Sequence, residues 1–140
     1  MITQLNPVKY ATKTYSSLIG YDTAVAFTVT GDVEVEFIGV VPTTQITSTS
    51  GFTGLSLGVS GSASAFLGES FIDNMGNFEA GDVWGSGGAG AKYGNWSTKA
   101  VIAGGADVTL TRSIDDITAG DLTVYCRWTA LSAGASVVAA

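Results

Sequence analysis

From Leu122 the chain reads Leu122-Thr123-Val124-Tyr125-Cys126-Arg127-Trp128, alternating without a slip. Leu122, Val124, Cys126 and Trp128 fall on one side, and Thr123, Tyr125 and Arg127 on the other. A period of two is what a strand with one buried face requires. Shortly before it, Ala106-Asp107-Val108-Thr109-Leu110-Thr111 alternates in the same way, with Val108 and Leu110 as its apolar members. Turn-forming residues fill 113–121 between them. Residues 106–131 therefore read as two strands and the turn between them. Their expected inward face is Val108, Leu110, Leu122, Val124, Cys126 and Trp128.

The same period recurs upstream. Ala24-Val25-Ala26-Phe27-Thr28-Val29 is followed by Thr30-Gly31-Asp32 and then Val33-Glu34-Val35-Glu36-Phe37. Gly31-Asp32 is a two-residue loop of the kind tight hairpins use, so a hairpin is expected here. Its apolar faces would be Val25, Phe27 and Val29 on one strand and Val33, Val35 and Phe37 on the other. Glu34 and Glu36 fall on the solvated side, where charge also guards a strand against unwanted pairing. Residues 15–19 make a plausible short strand, and Pro42 ends the strand that starts at Val33. The polar stretch 43–54 reads as a loop or an edge strand. Leu55-Ser56-Leu57-Gly58-Val59 and Ala100-Val101-Ile102-Ala103 read as strands, while 63–67 suits a strand or a single helical turn. No apolar stripe with a period of roughly 3.6 residues is long enough for a proper helix. About eight short strands at regular spacing predict an all-β, antiparallel sandwich or barrel. At 140 residues a single domain is expected, spanning 15–140. Residues 1–14 show neither period and carry Pro7, so they read as an extended N-terminal arm, in contact with either its own sheet or a neighbour.

Charged residues make up 13% of the chain, against roughly 25% in ordinary globular proteins. Apolar residues reach 46%, and Gly numbers 19. A surface poor in charge suits packing against other subunits. The net charge is −6, and the six cations Lys9, Lys13, Lys92, Lys99, Arg112 and Arg127 form no run. Binding to a phosphate backbone draws on clustered Lys and Arg, so nucleic acid is not expected as a partner. No apolar run approaches the ~20 residues of a membrane helix, and the first residues lack the pattern of a secretory signal. The expectation is a soluble protein made in a reducing cytoplasm, with no membrane partner. Cys126 is the only cysteine, and its place on an apolar strand face makes it a small hydrophobe and not a nucleophile. Asn95-Trp96-Ser97 matches a glycosylation acceptor, which without a secretory route is coincidence.

The chemical motifs fail in turn. There is no histidine, which removes the usual general base and the commonest zinc ligand. Asp115-Asp116, and Asp73 with Glu79 and Asp82, are the local acidic groupings. Both lie in turn-rich sequence where Asp bends and caps the backbone, and neither has the spacing of a calcium loop. Gly85-Ser86-Gly87-Gly88-Ala89-Gly90 matches G-x-G-x-x-G literally, but that motif works only where a strand feeds a helix, and no helix is expected next. A surface loop is expected there instead. No enzyme activity, metal or cofactor is expected. Trp84, Tyr93 and Trp96 gather around the glycine-rich stretch, either exposed to anchor a partner or folded inward to cap the sandwich. With Leu5, Pro7, Lys9, Tyr10 and Lys13 of the arm, they form the candidate interface set.

A resemblance joins these readings. Leu55-Ser56-Leu57-Gly58-Val59, Asp82-Val83-Trp84, Ala106-Asp107-Val108-Thr109-Leu110-Thr111 and Ile117-Thr118-Ala119-Gly120-Asp121-Leu122-Thr123-Val124-Tyr125-Cys126-Arg127-Trp128, with Leu131-Ser132-Ala133, resemble the head decoration, or cement, proteins of tailed bacteriophages. The likeness covers most of 20–138, is densest after residue 100, and leaves out 1–14 and 85–91. It implies a jelly-roll-like sandwich, a homotrimer, and a seat on the outer surface of the head, where it would clamp subunits of the major capsid protein. The alternative it leaves open is a receptor-binding or fibre-associated virion module that takes host surface glycans through the loop of Trp84 and Trp96.

Overall fold

Strands form where the sequence alternates, and their pairing decides the architecture. The computed structural model describes residues 7–17, 23–48, 54–71, 78–85, 88–91, 97–113 and 116–140. Within them run β1 (Val8–Tyr15), β2 (Thr23–Thr30), β3 (Val33–Pro42), β4 (Thr47–Ser48), β5 (Gly54–Val59), β6 (Ser62–Phe71), β7 (Val83–Gly85), β8 (Gly88–Ala91), β9 (Ser97–Ile102), β10 (Val108–Ser113), β11 (Ile117–Ala119), β12 (Leu122–Ala130) and β13 (Ser136–Ala139). No helix occurs among the described residues.

Eight of these strands build two antiparallel sheets. One has the order β1-β12-β3-β9 and the other β2-β10-β5-β6. This is the two-Greek-key order of a jelly roll. The remaining strands are additions. β13 borders β2, β4 pairs with β11, and β7 meets β3 at Val40↔Trp84 before turning into β8. The core lies between the two inner faces. Val33, Val35, Ile38, Val40, Leu122, Val124, Cys126 and Trp128 come from one sheet, and Phe27, Val29, Leu55, Leu57, Leu67, Val108 and Leu110 from the other. Burying each large aliphatic or aromatic side chain contributes about 1.5–3 kcal/mol.

The inward face expected for 106–131 is buried at every position. The two strands are not neighbours, however. β10 lies in one sheet with β2 and β5, while β12 lies in the other between β1 and β3. Their apolar faces meet across the core. The expected hairpin at Gly31-Asp32 is corrected in the same way, because β2 and β3 belong to opposite sheets. Gly31, at φ +69°, makes the tight bend, but the bend carries the chain over the end of the sandwich.

Two bulges shift the expected faces. Opposite Val108 and Thr109, β2 offers Phe27 and then Val25. Ala26 is the extra residue, so Ala24, Ala26, Phe27 and Val29 turn inward and Val25 outward. On β3, Arg127 and Trp128 of β12 oppose Phe37 and Val35, which makes Glu36 the extra residue. Phe37 is therefore only half-buried and Ile38 takes the core position. Alternation alone cannot show such a slip.

The largest correction concerns the N-terminus. Residues 8–14 are not an arm outside the domain but part of its own sheet, since β1 pairs with β12 from Val8↔Thr129 to Tyr15↔Leu122. A boundary between 14 and 15 would cut the first strand of the jelly roll. β1 also ends at Tyr15, where a strand over 15–19 was expected to begin, and 18–22 lie outside the described residues. The ambiguous stretch 63–67 is part of β6. Within the supposed surface loop at 85–91, Gly88–Ala91 forms β8 against β7.

Candidate functional site

β1, β12 and β3 place a continuous outer face on one side of the sandwich. Their registers align its side chains in rows. Val8, Thr129, Glu34 and Val101 form one row, and Tyr10, Arg127 and Phe37 the next. Thr12 and Tyr125 follow, then Thr14, Thr123 and Val41. Tyr10 is 69% exposed and Val101 60%, with Val8 also open to solvent.

Arg127 organises the middle of this face. Its guanidinium lies over the Tyr10 ring, 5.8 Å from the centroid. Its Nε is 3.0 Å from Glu36 Oε2, at the bulge of β3. Three strands are thus linked by a ring, a cation and a carboxylate. Half-exposed ion pairs contribute little to stability, about 0–1 kcal/mol, but they hold the side chains in place. Aromatic residues and Arg beside scattered apolar groups are the composition enriched at protein contacts. At the far end of the face, Thr14 Oγ1 and Thr123 Oγ1 share a hydrogen bond of 3.0 Å.

The inner side of β1 closes the seam between the sheets. Lys9 stands over the Trp128 ring, its Nζ 5.3 Å from the centroid, and Lys13 over the Tyr15 ring at 5.5 Å. Lys13 Nζ also donates to the Ala140 carbonyl oxygen. Between the lysines, Ala11 faces Cys126 across the ladder. Burial pushes the Cys126 thiol up to about 12, from an ordinary value near 9. A thiol held in that state is inert.

Three of the described aspartates hold backbone amides. Asp32 Oδ1 accepts from Gly104 N at 2.8 Å, and Asp107 Oδ1 from Val29 N at 3.0 Å. Asp82 is buried, and its Oδ2 accepts from Glu79 N at 2.9 Å within a turn. Asp116 pairs with Arg112 at 3.3 Å. Asp73 and Asp115 lie outside the described residues.

The candidate interface residues thus divide. Lys9, Tyr10 and Lys13 sit together on β1, with Pro7 exposed just before it. Tyr10 faces outward and the two lysines toward the seam. Trp84 is corrected: it is 1% exposed and packs edge-on against Phe78, ring centroids 6.1 Å apart. Its pairing with Val40 places it on the inner face, so it caps the sandwich and is no surface anchor. Leu5, Tyr93 and Trp96 lie outside the described residues. The residues missed were Arg127, Glu36, Val8 and Val101. Arg127 was already on the outward side of the alternating run, but only the register shows that Tyr10 lies beside it.

The sequence matches no protein-family model, and no curated protein matches it. Among solved structures, the fold is similar to a chain of the cyanophage Pam1 capsid asymmetric unit. The TM-score is 0.50 and the identity 14%, over 92% of this chain and 89% of that one. The likeness is one of fold.

Proposed function

We propose that this chain is a non-enzymatic virion structural protein that decorates the head of a tailed phage. The observation that carries the reading is the fold likeness to a phage capsid chain over nearly the full length of both. The framework residues of β5, β10 and β12 point the same way through their resemblance to head decoration proteins. In this reading the partner is the major capsid protein, the protein is a homotrimer, and its seat is the outer surface of the head. An acidic chain of net charge −6 suits the exterior, away from the like charge of a packaged genome. The Tyr10–Arg127 face is the surface assigned to the shell. A protein that binds only the assembled shell stabilises it by mass action.

The glycan-binding alternative loses one of its aromatic anchors, because Trp84 is in the core. Binding to purified heads tests the reading. Tyr10→Glu and Val101→Glu, both at exposed positions, should leave the fold intact and weaken head binding. Unchanged head binding by both variants would remove this face from the reading, and no binding by the unmodified protein would remove the decoration role itself.

A further inference from the structure

β1 is held along its whole length but buries little. Of its residues Tyr15 alone is buried, with Ala11 and Lys13 half-covered. On the neighbouring β12, Leu122, Thr123, Val124, Cys126 and Trp128 are all buried. Besides the buried Tyr15, side-chain contacts that tie β1 to the rest include Lys9 to Trp128, Tyr10 to Arg127, Thr14 to Thr123 and Lys13 to Ala140. Among the described residues its only ladder is with β12. An edge strand with so little buried apolar surface belongs to the low-stability end of a fold.

We propose that β1 is an exchangeable strand: it leaves β12 while the rest of the sandwich stays folded, and the β1 of a second copy takes its place. The occupant follows from the complementarity of the site. The edge of β12 matches Lys9 to Trp128, Ala11 to Cys126 and Thr14 to Thr123 in one register. A second copy offers the same strand and restores every contact, so exchange costs little beyond association. The chain permits it, since residues 16–22 between β1 and β2 can span up to about 23 Å when extended. Contact through the outer edge of β1 is the competing route between copies. Lys9 and Lys13, charged and turned inward on an edge strand, disfavour it. The proposal does not depend on the virion reading.

Mixing two chains tests it, neither of which can form an internal disulfide. One is Ala11→Cys in a Cys126→Ala background. The other is the unmodified chain, whose only cysteine is Cys126. After incubation at high concentration and mild oxidation, exchange gives a covalent heterodimer joined between positions 11 and 126, rising with concentration. Thr12→Cys in the same background, one residue out of register and facing outward, gives none. Absence of the 11–126 link, or equal linkage from position 12, overturns the proposal. Hydrogen exchange on the unmodified protein is the second measurement. Amides of 8–15 should exchange more than about tenfold faster than those of β3 and β10. Exchange of 8–15 only with global unfolding overturns the proposal as well.

Discussion

Asp32 accepts the Gly104 backbone N–H on its carboxylate at 2.8 Å, and so joins the turn between β2 and β3 to the turn between β9 and β10. The same end is fastened twice more. Asp32 N donates to Ser132 Oγ at 3.0 Å, and Leu131 N donates to Asp32 O at 2.9 Å. Three connections that cross the end of the sandwich therefore meet at one residue. Asp32 is thus a structural tie at this end of the sandwich.

Asp107 gives the sharpest test of that role. Its Oδ1 accepts from Val29 N at 3.0 Å in a part-buried position. Asp107→Ala leaves that N–H without its acceptor and should cost about 1–2 kcal/mol. Asp107→Asn keeps an oxygen in place and should cost distinctly less. Urea denaturation followed by circular dichroism reads both, as a shift of the midpoint at constant slope.

Two glycines should respond with opposite signs. A Cβ on Gly58 would sit 2.1 Å from Ser62 O, where β5 turns into β6. Gly58→Ala therefore forces backbone apart and should destabilise by about 1–3 kcal/mol or more. A Cβ on Gly68 would meet nothing within 4 Å. Gly68→Ala should be neutral or stabilise by about 0.4–1 kcal/mol, through the unfolded chain. Thermal melts of the two variants check the signs.

Cys126 predicts a pH dependence. Burial raises its folded value to about 12, above the ordinary value near 9. Between these values the unfolded chain releases a proton that the folded chain keeps, so stability falls as pH rises. The slope from this group approaches about 1.4 kcal/mol per pH unit. Well below pH 9 the group contributes no slope. Stability measured from pH 8 to 11 should lose this component in Cys126→Ala, and thiol reagents at neutral pH should label the native protein only as fast as it opens.

How much was legible before the fold was known depends on what period and register each carry. Alternation identified the class, the inward residues of β10 and β12, and about as many strands as the jelly roll contains. It did not say which strands pair. Gly31-Asp32 looks like a hairpin because hairpins and sheet-to-sheet bends need the same tight turn; Ser132 and Gly104, far away in sequence, decide between them. The bulges at Ala26 and Glu36 were hidden because one inserted residue leaves composition unchanged. β1 was missed because an edge strand that buries one large side chain shows almost no apolar period. For the same reason the candidate site was half legible: Tyr10, Lys9 and Lys13 were singled out, but Arg127 joined them only through the β1–β12 register.

Trp84 and Tyr10 separate core from surface. Trp84→Ala removes a buried ring packed against Phe78 and should cost about 3–5 kcal/mol. Tyr10→Ala lies on the open face and should change stability by less than about 0.5 kcal/mol. If the proposed surface is right, Tyr10→Ala weakens binding to heads while its melting temperature stays near that of the unmodified protein.

The decoration role is tested most directly by the stoichiometry and position of this chain in purified particles, by quantitative mass spectrometry and electron cryomicroscopy together. The account predicts copies in fixed proportion to the major capsid protein, as external density at the junctions between capsid subunits, with the β1–β12–β3 face against the shell. Density confined to the tail, in the few copies a tail device carries, or no copies in the particle, would contradict it.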